Sequence, residues 1–470
     1  MSASPNQTLA AGVVDPERIA RLFPSDFVWG VATSAFQIEG TDATDGRGAS
    51  IWDTFCERPG TIIDGTDGRE ACQHVRHWEA DLDLIASLGL THYRFSIAWP
   101  RVQPLGQGAW NDAGLAFYDR LVDGMLARGI QPHVTLYHWD LPEALQTLGG
   151  WQSRATVDRF VDYARRIGAL LGDRAATIAT HNEPWVVATL GHQQGIFAPG
   201  LKSRAAAAQV AHHLLLSHGA ALTALRANGV SSKLGIVLNQ APVHPATALV
   251  EDRTKARLDD GELVRWYMDP LFNGHYPADV WDTLGADAPV VEAGDFETIR
   301  APLDFLGINY YTRNIAIAHG TYDPRSSGLE LTDMGWEVYP AGLTELLTRL
   351  HRDYTLPPLY ITENGAAYPD QLVGGRVQDD ARIRYLGSHL QAVAMARDAG
   401  VDVRGYFAWS LLDNFEWAHG YSKRFGIVHV DYATQQRTPK ASALWYRELL
   451  RAFRDRRGGV VRRVQEREPG

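Results

Sequence analysis

Two glutamates stand where strand-like runs stop. Thr180-His181-Asn182-Glu183-Pro184 ends on a proline that cannot continue a central strand, and Tyr360-Ile361-Thr362-Glu363-Asn364-Gly365 ends on a turn-forming Asn-Gly pair. Carboxyl groups delivered in a pair to one pocket suit the cleavage of an acetal: one protonates the leaving oxygen, and the other attacks the carbon or activates water. The two roles need different proton affinities. Arg94 sits inside a strand-like run, where a cation needs partners, and a carboxylate beside it stays ionised as a nucleophile requires. The glutamate without that cation is the better proton donor.

The two acids are too far apart in the chain to share a hairpin, so a fold that gathers many strand ends on one face must bring them together. Eight apolar, β-branched runs meet that need: 27–33, 91–99, 131–139, 176–180, 233–239, 303–311, 359–363 and 403–409. Helical periodicity fills the intervals over 74–88, 113–128, 155–171, 205–228, 261–268, 343–354 and 379–399, and a last helix is expected over 440–454. The stretch to Gly68 after the first strand reads as a long loop, and a short helix is expected near 15–22. Alternating strands and helices predict a parallel sheet, and eight such units close into a single (β/α)8 TIM barrel with long βα-loop insertions forming a deep pocket at its C-terminal face. An open doubly wound sheet would carry a Gly-rich phosphate turn after its first strand, and none is seen there. The whole chain, 1–470, is expected to form one catalytic domain, with flexible tails at about 1–14 and 457–470.

Composition narrows the chemistry. Forty-five basic against 55 acidic residues give a net charge of −10, so nucleic acid and anionic membranes are unsuitable partners and a small neutral substrate fits better. Two cysteines, Cys56 and Cys72, exclude a disulfide framework and fit a reducing compartment. No Cys/His cluster has metal-ligand spacing, and no cofactor is implied. The first residues have neither a basic start nor a sustained apolar segment, which predicts a cytoplasmic protein without a signal or a span.

Polar and aromatic residues recur at the expected carboxyl ends of the strands: Gln37, Arg94, His138 with Trp139, Asn182 with Glu183, Asn309 with Tyr311, Glu363, and Trp409 followed by Glu416 and Trp417. One strand-end glutamate is usually a cap, and one His or Trp is usually core. A whole ring of them is not demanded by stability, and it sits where this architecture keeps its active site. The two glutamate motifs, together with Phe27-Val28-Trp29-Gly30-Val31-Ala32-Thr33-Ser34-Ala35-Phe36-Gln37-Ile38-Glu39-Gly40, resemble the signatures of glycoside hydrolase family 1, the β-glucosidases, over about Phe23 to Tyr446. The resemblance implies a retaining double displacement with Glu363 as nucleophile and Glu183 as acid/base, their carboxyls roughly 5–5.5 Å apart. It implies that Asn182 bonds the sugar's 2-hydroxyl and that Tyr311 orients the nucleophile. It also gives Gln37, His138, Trp139, Glu416 and Trp417 to the remaining hydroxyls, Trp409 to the platform under the ring, and Trp336 to the aglycone side. His181, Asn309 and Tyr310 divide evenly between support of the site and strand packing.

Relatives that act on 6-phosphorylated sugars replace the Glu416 position by a small residue and add a tyrosine near Phe425. This chain keeps both Glu416 and Phe425, so unphosphorylated glycosides or cello-oligosaccharides are implied. Plant thioglucosidases lack the acid glutamate, and Glu183 is present here, which favours O-glycosides. The family pattern further implies a cis bond at Trp409-Ser410. Two other readings compete: an endo-acting β-glycanase with an open groove, against which the insertions around 42–68 and 246–301 argue, and a non-catalytic sugar-binding protein, against which the presence of both glutamates, Asn182 and Arg94 argues.

Overall fold

In the computed structural model, residues 14–41 and 45–465 are described, with side chains through Arg456. Eight parallel strands close into one barrel: β1 Val28–Ala32, β2 His92–Ser96, β3 Gln131–Tyr137, β4 Thr177–Asn182, β5 Lys233–Asn239, β6 Phe305–Asn309, β7 Leu359–Asn364 and β8 Val403–Trp409. The order around the barrel is the chain order, with β1 paired to both β2 and β8. Every residue of β4 and β7 is buried, as expected for strands covered by helices on one side and by the barrel interior on the other.

Two apolar layers result. The outer one joins the strands to surrounding helices such as Ala155–Leu171, whose Val157, Phe160, Tyr163, Ala164, Ile167 and Leu171 form one buried stripe. The inner one is small. Ala179, Val237, Phe305, Tyr360 and Phe407 fill the barrel axis and give the cavity above them a closed floor. Gly30 makes that filling possible, because a Cβ there would lie 2.4 Å from the Phe407 ring.

Several boundaries differ from expectation. The presumed loop before Gly68 contains a helix, Ile51–Cys56, started by a reciprocal capping box in which the Ser50 and Asp53 side chains each bond the other's backbone. The single helix expected at 261–268 is part of a longer series: Val250–Asp260, a π-helical turn Gly261–Arg265, and Trp266–Phe272. The last helix, Ala441–Gln465, runs past the point where a flexible tail was expected, although that stretch carries Gly458-Gly459 and three valines among its arginines. Of the expected tails, residues 1–13 and 466–470 lie outside the described residues. No helix among the described residues is long and apolar enough to cross a membrane.

Candidate active site

The exits of β4 and β7 deliver the two acids, and a break in strand pairing accompanies each. Register with β5 shifts between Ala179 and Asn182, and register of β6 with β7 shifts between Ile308 and Asn309. Bulges of this kind re-aim side chains at the rim of a barrel. Glu183 has a positive φ of 52°, and its N–H donates to the Val237 carbonyl at 2.9 Å, which fixes the carboxyl over the barrel mouth. Trp139 (φ 79°) and Trp417 (φ 50°) share the left-handed region, so three cavity-lining residues adopt a backbone that ordinary residues avoid, at about 1–3 kcal/mol each. The glycine of the second motif also has a local reason. A Cβ on Gly365 would lie 1.7 Å from the Trp409 carbonyl oxygen, beside the cis Trp409-Ser410 bond that the family pattern implied.

A single hydrogen-bond chain links the acids. Arg94 donates to Glu363 Oε1 at 2.6 Å and to Asn182 Oδ1 at 2.6 Å. Asn309 Nδ2 donates to Asn182 Oδ1 at 3.1 Å and to Glu183 Oε1 at 2.6 Å. Thr362 donates to Asn309 Oδ1 at 2.7 Å, which decides which face of that amide meets Glu183. Tyr311 donates to Glu363 Oε2 at 2.6 Å, so each oxygen of Glu363 has its own donor. Asn309 thus stands between the acids as support, and His181 belongs to the packing: its Nε2 pairs with Ser217 and its ring stacks on Phe160.

The two carboxyls differ electrostatically. Burial pushes Glu183 up to about 8, the charge of Glu363 adds to the rise, and the hydrogen bond from Asn309 opposes it. Glu363 instead forms an ion pair with Arg94, both side chains being almost wholly buried. A carboxyl that holds its proton through neutral pH beside one paired with a cation is the division of labour that acetal cleavage needs. Removing the Tyr311 hydroxyl alone tests one support of that arrangement. A hydrogen bond to a charged group contributes about 1.5–3 kcal/mol, so Tyr311→Phe is expected to lower kcat by about 10- to 100-fold, measured by steady-state hydrolysis of an aryl β-glucoside.

Around the acids lies a cavity of about 820 Å³. His138, Trp139, Trp409, Glu416 and Trp417 line it, and the His138 ring lies nearly parallel to Trp409 and Trp417 with centroids 6.0 and 5.9 Å away. Trp139 Nε1 donates to the Asn182 carbonyl at 2.8 Å, and Asn182 Nδ2 meets His138 Nε2 at 3.3 Å. Burial, and then the nearby Glu363 charge, push Glu416 up to about 8. Trp336 and Phe425 line the cavity next to Tyr311, with ring centroids 5.6 and 6.1 Å from it. Three of the expected residues stand behind the wall: Arg94, Asn182 and Gln37. The Gln37 amide accepts from Ser34 at 2.6 Å and donates to Asn414 and the Phe415 carbonyl at 3.0 and 2.9 Å, with Glu416 at 3.4 Å. The expectation omitted Trp185, Phe197 and Gln240, which also line the cavity. No cluster of His, Cys, Asp and Glu that could hold a metal ion occurs among the described residues.

A parallel eight-stranded barrel that presents one proton-bearing carboxyl and one cation-paired carboxyl in an aromatic cavity belongs to the glycoside hydrolases. Residues 19–454 match the model of Glycosyl hydrolase family 1, and the chain belongs to that family. It is 46% identical over 463 residues to the "Beta-glucosidase" of an Agrobacterium strain, covering 96% of this chain and all of that one. The "Bifunctional beta-D-glucosidase/beta-D-fucosidase" of Bifidobacterium breve is 42% identical over 460 residues, covering 91% of this chain and 98% of its own. Among solved structures, the virulence factor SghA of Agrobacterium tumefaciens, in complex with its substrate analog salicin, superposes with a TM-score of 0.90 at 46% identity, over 94% of this chain and all of that one.

Proposed function

We propose that Glu363 and Glu183 carry out a double displacement that removes the non-reducing terminal β-D-glucosyl unit from unphosphorylated O-glycosides and cello-oligosaccharides. The enzyme is a retaining β-glucosidase. A Glu363 oxygen bonds the anomeric carbon while the glycosidic oxygen departs with the proton of Glu183. Water then gives a proton to the Glu183 carboxylate, bonds the anomeric carbon and releases Glu363. The observation that carries this reading is the asymmetry of the acids: Arg94 and Tyr311 each donate to Glu363, whereas Glu183, to which Asn309 donates, is pushed up to about 8.

Specificity follows from the cavity wall. Trp409, His138 and Trp417 offer apolar faces for the C–H faces of a pyranose, and Glu416 offers a carboxyl group to its hydroxyls. The B. breve relative, bifunctional by name, supports fucosyl units as a second glycone. Proton NMR of p-nitrophenyl β-glucoside hydrolysis in D2O tests the mechanism. β-Glucose is expected as the first anomer to appear, and early appearance of the α-anomer would exclude two successive displacements.

A further inference from the structure

The support of Glu363 extends beyond the barrel wall. β6 stops at Asn309, beside its register shift with β7, and the chain goes on through Tyr310 to Tyr311, whose hydroxyl donates to Glu363 Oε2 at 2.6 Å. The carbonyls of Tyr310 and Tyr311 lie past the end of the strand and need other donors. Side chains supply them. Asn364 Nδ2 donates to the Tyr310 carbonyl at 2.7 Å, and the Tyr385 hydroxyl donates to the Tyr311 carbonyl at 2.8 Å. Tyr385 is no part of the barrel: it belongs to the helix Asp380–Asp398, in the outer apolar layer, and is buried there.

The donors of this cluster run in one direction. Tyr406 donates to Asn364 Oδ1 at 2.6 Å, and Asn364 Nδ2 donates both to the Tyr310 carbonyl and, at 3.2 Å, to the Tyr385 hydroxyl. The amide cannot be reversed, since that would set its oxygen against the Tyr310 carbonyl oxygen. A hydroxyl that accepts from Asn364 points its own hydrogen elsewhere, and the acceptor it meets is the Tyr311 carbonyl. The Tyr385 ring is held as well. It stacks on His389 with centroids 3.9 Å apart, and His389 Nδ1 meets the Tyr385 carbonyl at 2.8 Å. Tyr311 itself is only half-buried in the cavity wall, so the place of its hydroxyl depends on the backbone from which the ring hangs.

Resting on the reading of Glu363 as nucleophile, we infer that Tyr385 is a positioning residue for its attack: from a helix outside the barrel it fixes the backbone of Tyr311, and through the Tyr311 hydroxyl it fixes an oxygen of Glu363. The two oxygens of Glu363 are thus held from opposite sides. Arg94 grips Oε1 from within the barrel, and Oε2 depends on Tyr311 and on what anchors it. Without the Tyr385 hydroxyl the Tyr311 carbonyl loses its donor, and the main chain shifts to find another. Displacements of that kind matter at a reacting centre, where a misplacement of about 1 Å costs about 10²-fold.

The test uses the full-length enzyme with Tyr385→Phe, which keeps the ring and its stacking and removes only the hydroxyl. The probe is 2,4-dinitrophenyl 2-deoxy-2-fluoro-β-glucoside. Its leaving group needs no proton, so the rate of labelling reads the attack by Glu363 alone. The maximal labelling rate is expected to fall at least fivefold, while the probe concentration that gives half of it stays within twofold. Rates are referred to the fraction of enzyme that takes up label, so unfolded protein does not enter them. In a Tyr311→Phe background the same replacement is expected to change the rate less than twofold, because the route through the Tyr311 hydroxyl is already cut. Tyr406→Phe removes a hydroxyl of the same cluster that bonds Asn364 and not Tyr311, and a smaller loss is expected from it. A fall of less than fivefold in Tyr385→Phe overturns the inference. So does a loss confined to the half-saturating concentration, an equal loss with and without the Tyr311 hydroxyl, or an equal loss in Tyr406→Phe. A wild-type enzyme that turns over substrate but takes up no label on Glu363 overturns the underlying reading of the acids, an outcome distinct from these.

Discussion

Replacing Glu363 by glutamine is expected to lower hydrolysis of p-nitrophenyl β-glucoside by about 10⁴- to 10⁶-fold, the loss typical of removing a nucleophile from a covalent mechanism. The substitution keeps the shape of the side chain and leaves Arg94 and Tyr311 beside it. What it removes is the oxygen that can form an ester with the anomeric carbon. The loss is expected in kcat and kcat/KM together, because the bond to Glu363 is made only on the way to the transition state. In the unmodified enzyme, a 2-deoxy-2-fluoro-β-glucoside with a good leaving group should add one sugar mass to the peptide that contains Glu363. Mass spectrometry of the digested protein reads this directly. A label on any other peptide, or a Gln variant within 100-fold of the wild type, would sink the assignment of Glu363.

Glu363 is also where sequence reading had most to work with. The run 359–363 is β-branched and aromatic, it stops at Asn-Gly, and its glycine is forced by the Trp409 carbonyl, so strand, exit and acid are all written locally. The same holds for Glu183 before Pro184, and the barrel strands were legible because strands buried on both faces are rich in apolar and β-branched residues. Arg94 was legible as a cation in need of partners, though not that it would bind Glu363 and Asn182 at once. Gln37 illustrates the opposite limit. Its type and position suit a sugar ligand, and what holds its amide in place is Ser34, Asn414 and Phe415, three-dimensional neighbours that no spacing announces.

Elements without a sequence period were harder still. The π-helix Val186–Gln193 that follows Glu183 carries Leu190 and Gln193 into the cavity wall, and a repeat of that pitch has no familiar apolar pattern. The Val250–Phe272 series bends through a second π segment for the same reason. Tyr385 reads as one more apolar position of a helix until its hydroxyl is found on the Tyr311 carbonyl. The helix Ile51–Cys56 was different, since Ser50 and Asp53 stand at capping-box spacing and would have marked its start.

Glu183→Ala is expected to separate substrates by their leaving groups. A departing alkoxide or sugar hydroxyl needs a proton in the transition state, and the general acid supplies about 10²- to 10⁴-fold there. Dinitrophenolate departs without help. The variant should therefore lose about 10²- to 10⁴-fold in kcat/KM on cellobiose and on alkyl β-glucosides, and far less on 2,4-dinitrophenyl β-glucoside. An equal loss on all three would mean that Glu183 acts by holding substrate and not by giving a proton. The pH profile carries the same argument with a definite sign. Because burial and the Glu363 charge raise Glu183 to about 8, the acid keeps its proton through neutral pH, and kcat/KM on poor leaving groups should fall as pH rises through that region. The Ala variant should lack this alkaline limb. Once Glu363 is esterified its charge is gone, and with it one of the causes of the rise. In the fluoroglucosyl enzyme, then, Glu183 should titrate lower than in the free enzyme, as ¹³C NMR of labelled glutamate can measure. In the proposed double displacement, the first step would make Glu183 a weaker holder of its proton just after that proton has been spent, and the carboxylate left behind would be the base that the second step requires. An unchanged or higher titration point in the trapped enzyme would show that the two acids are not electrostatically coupled.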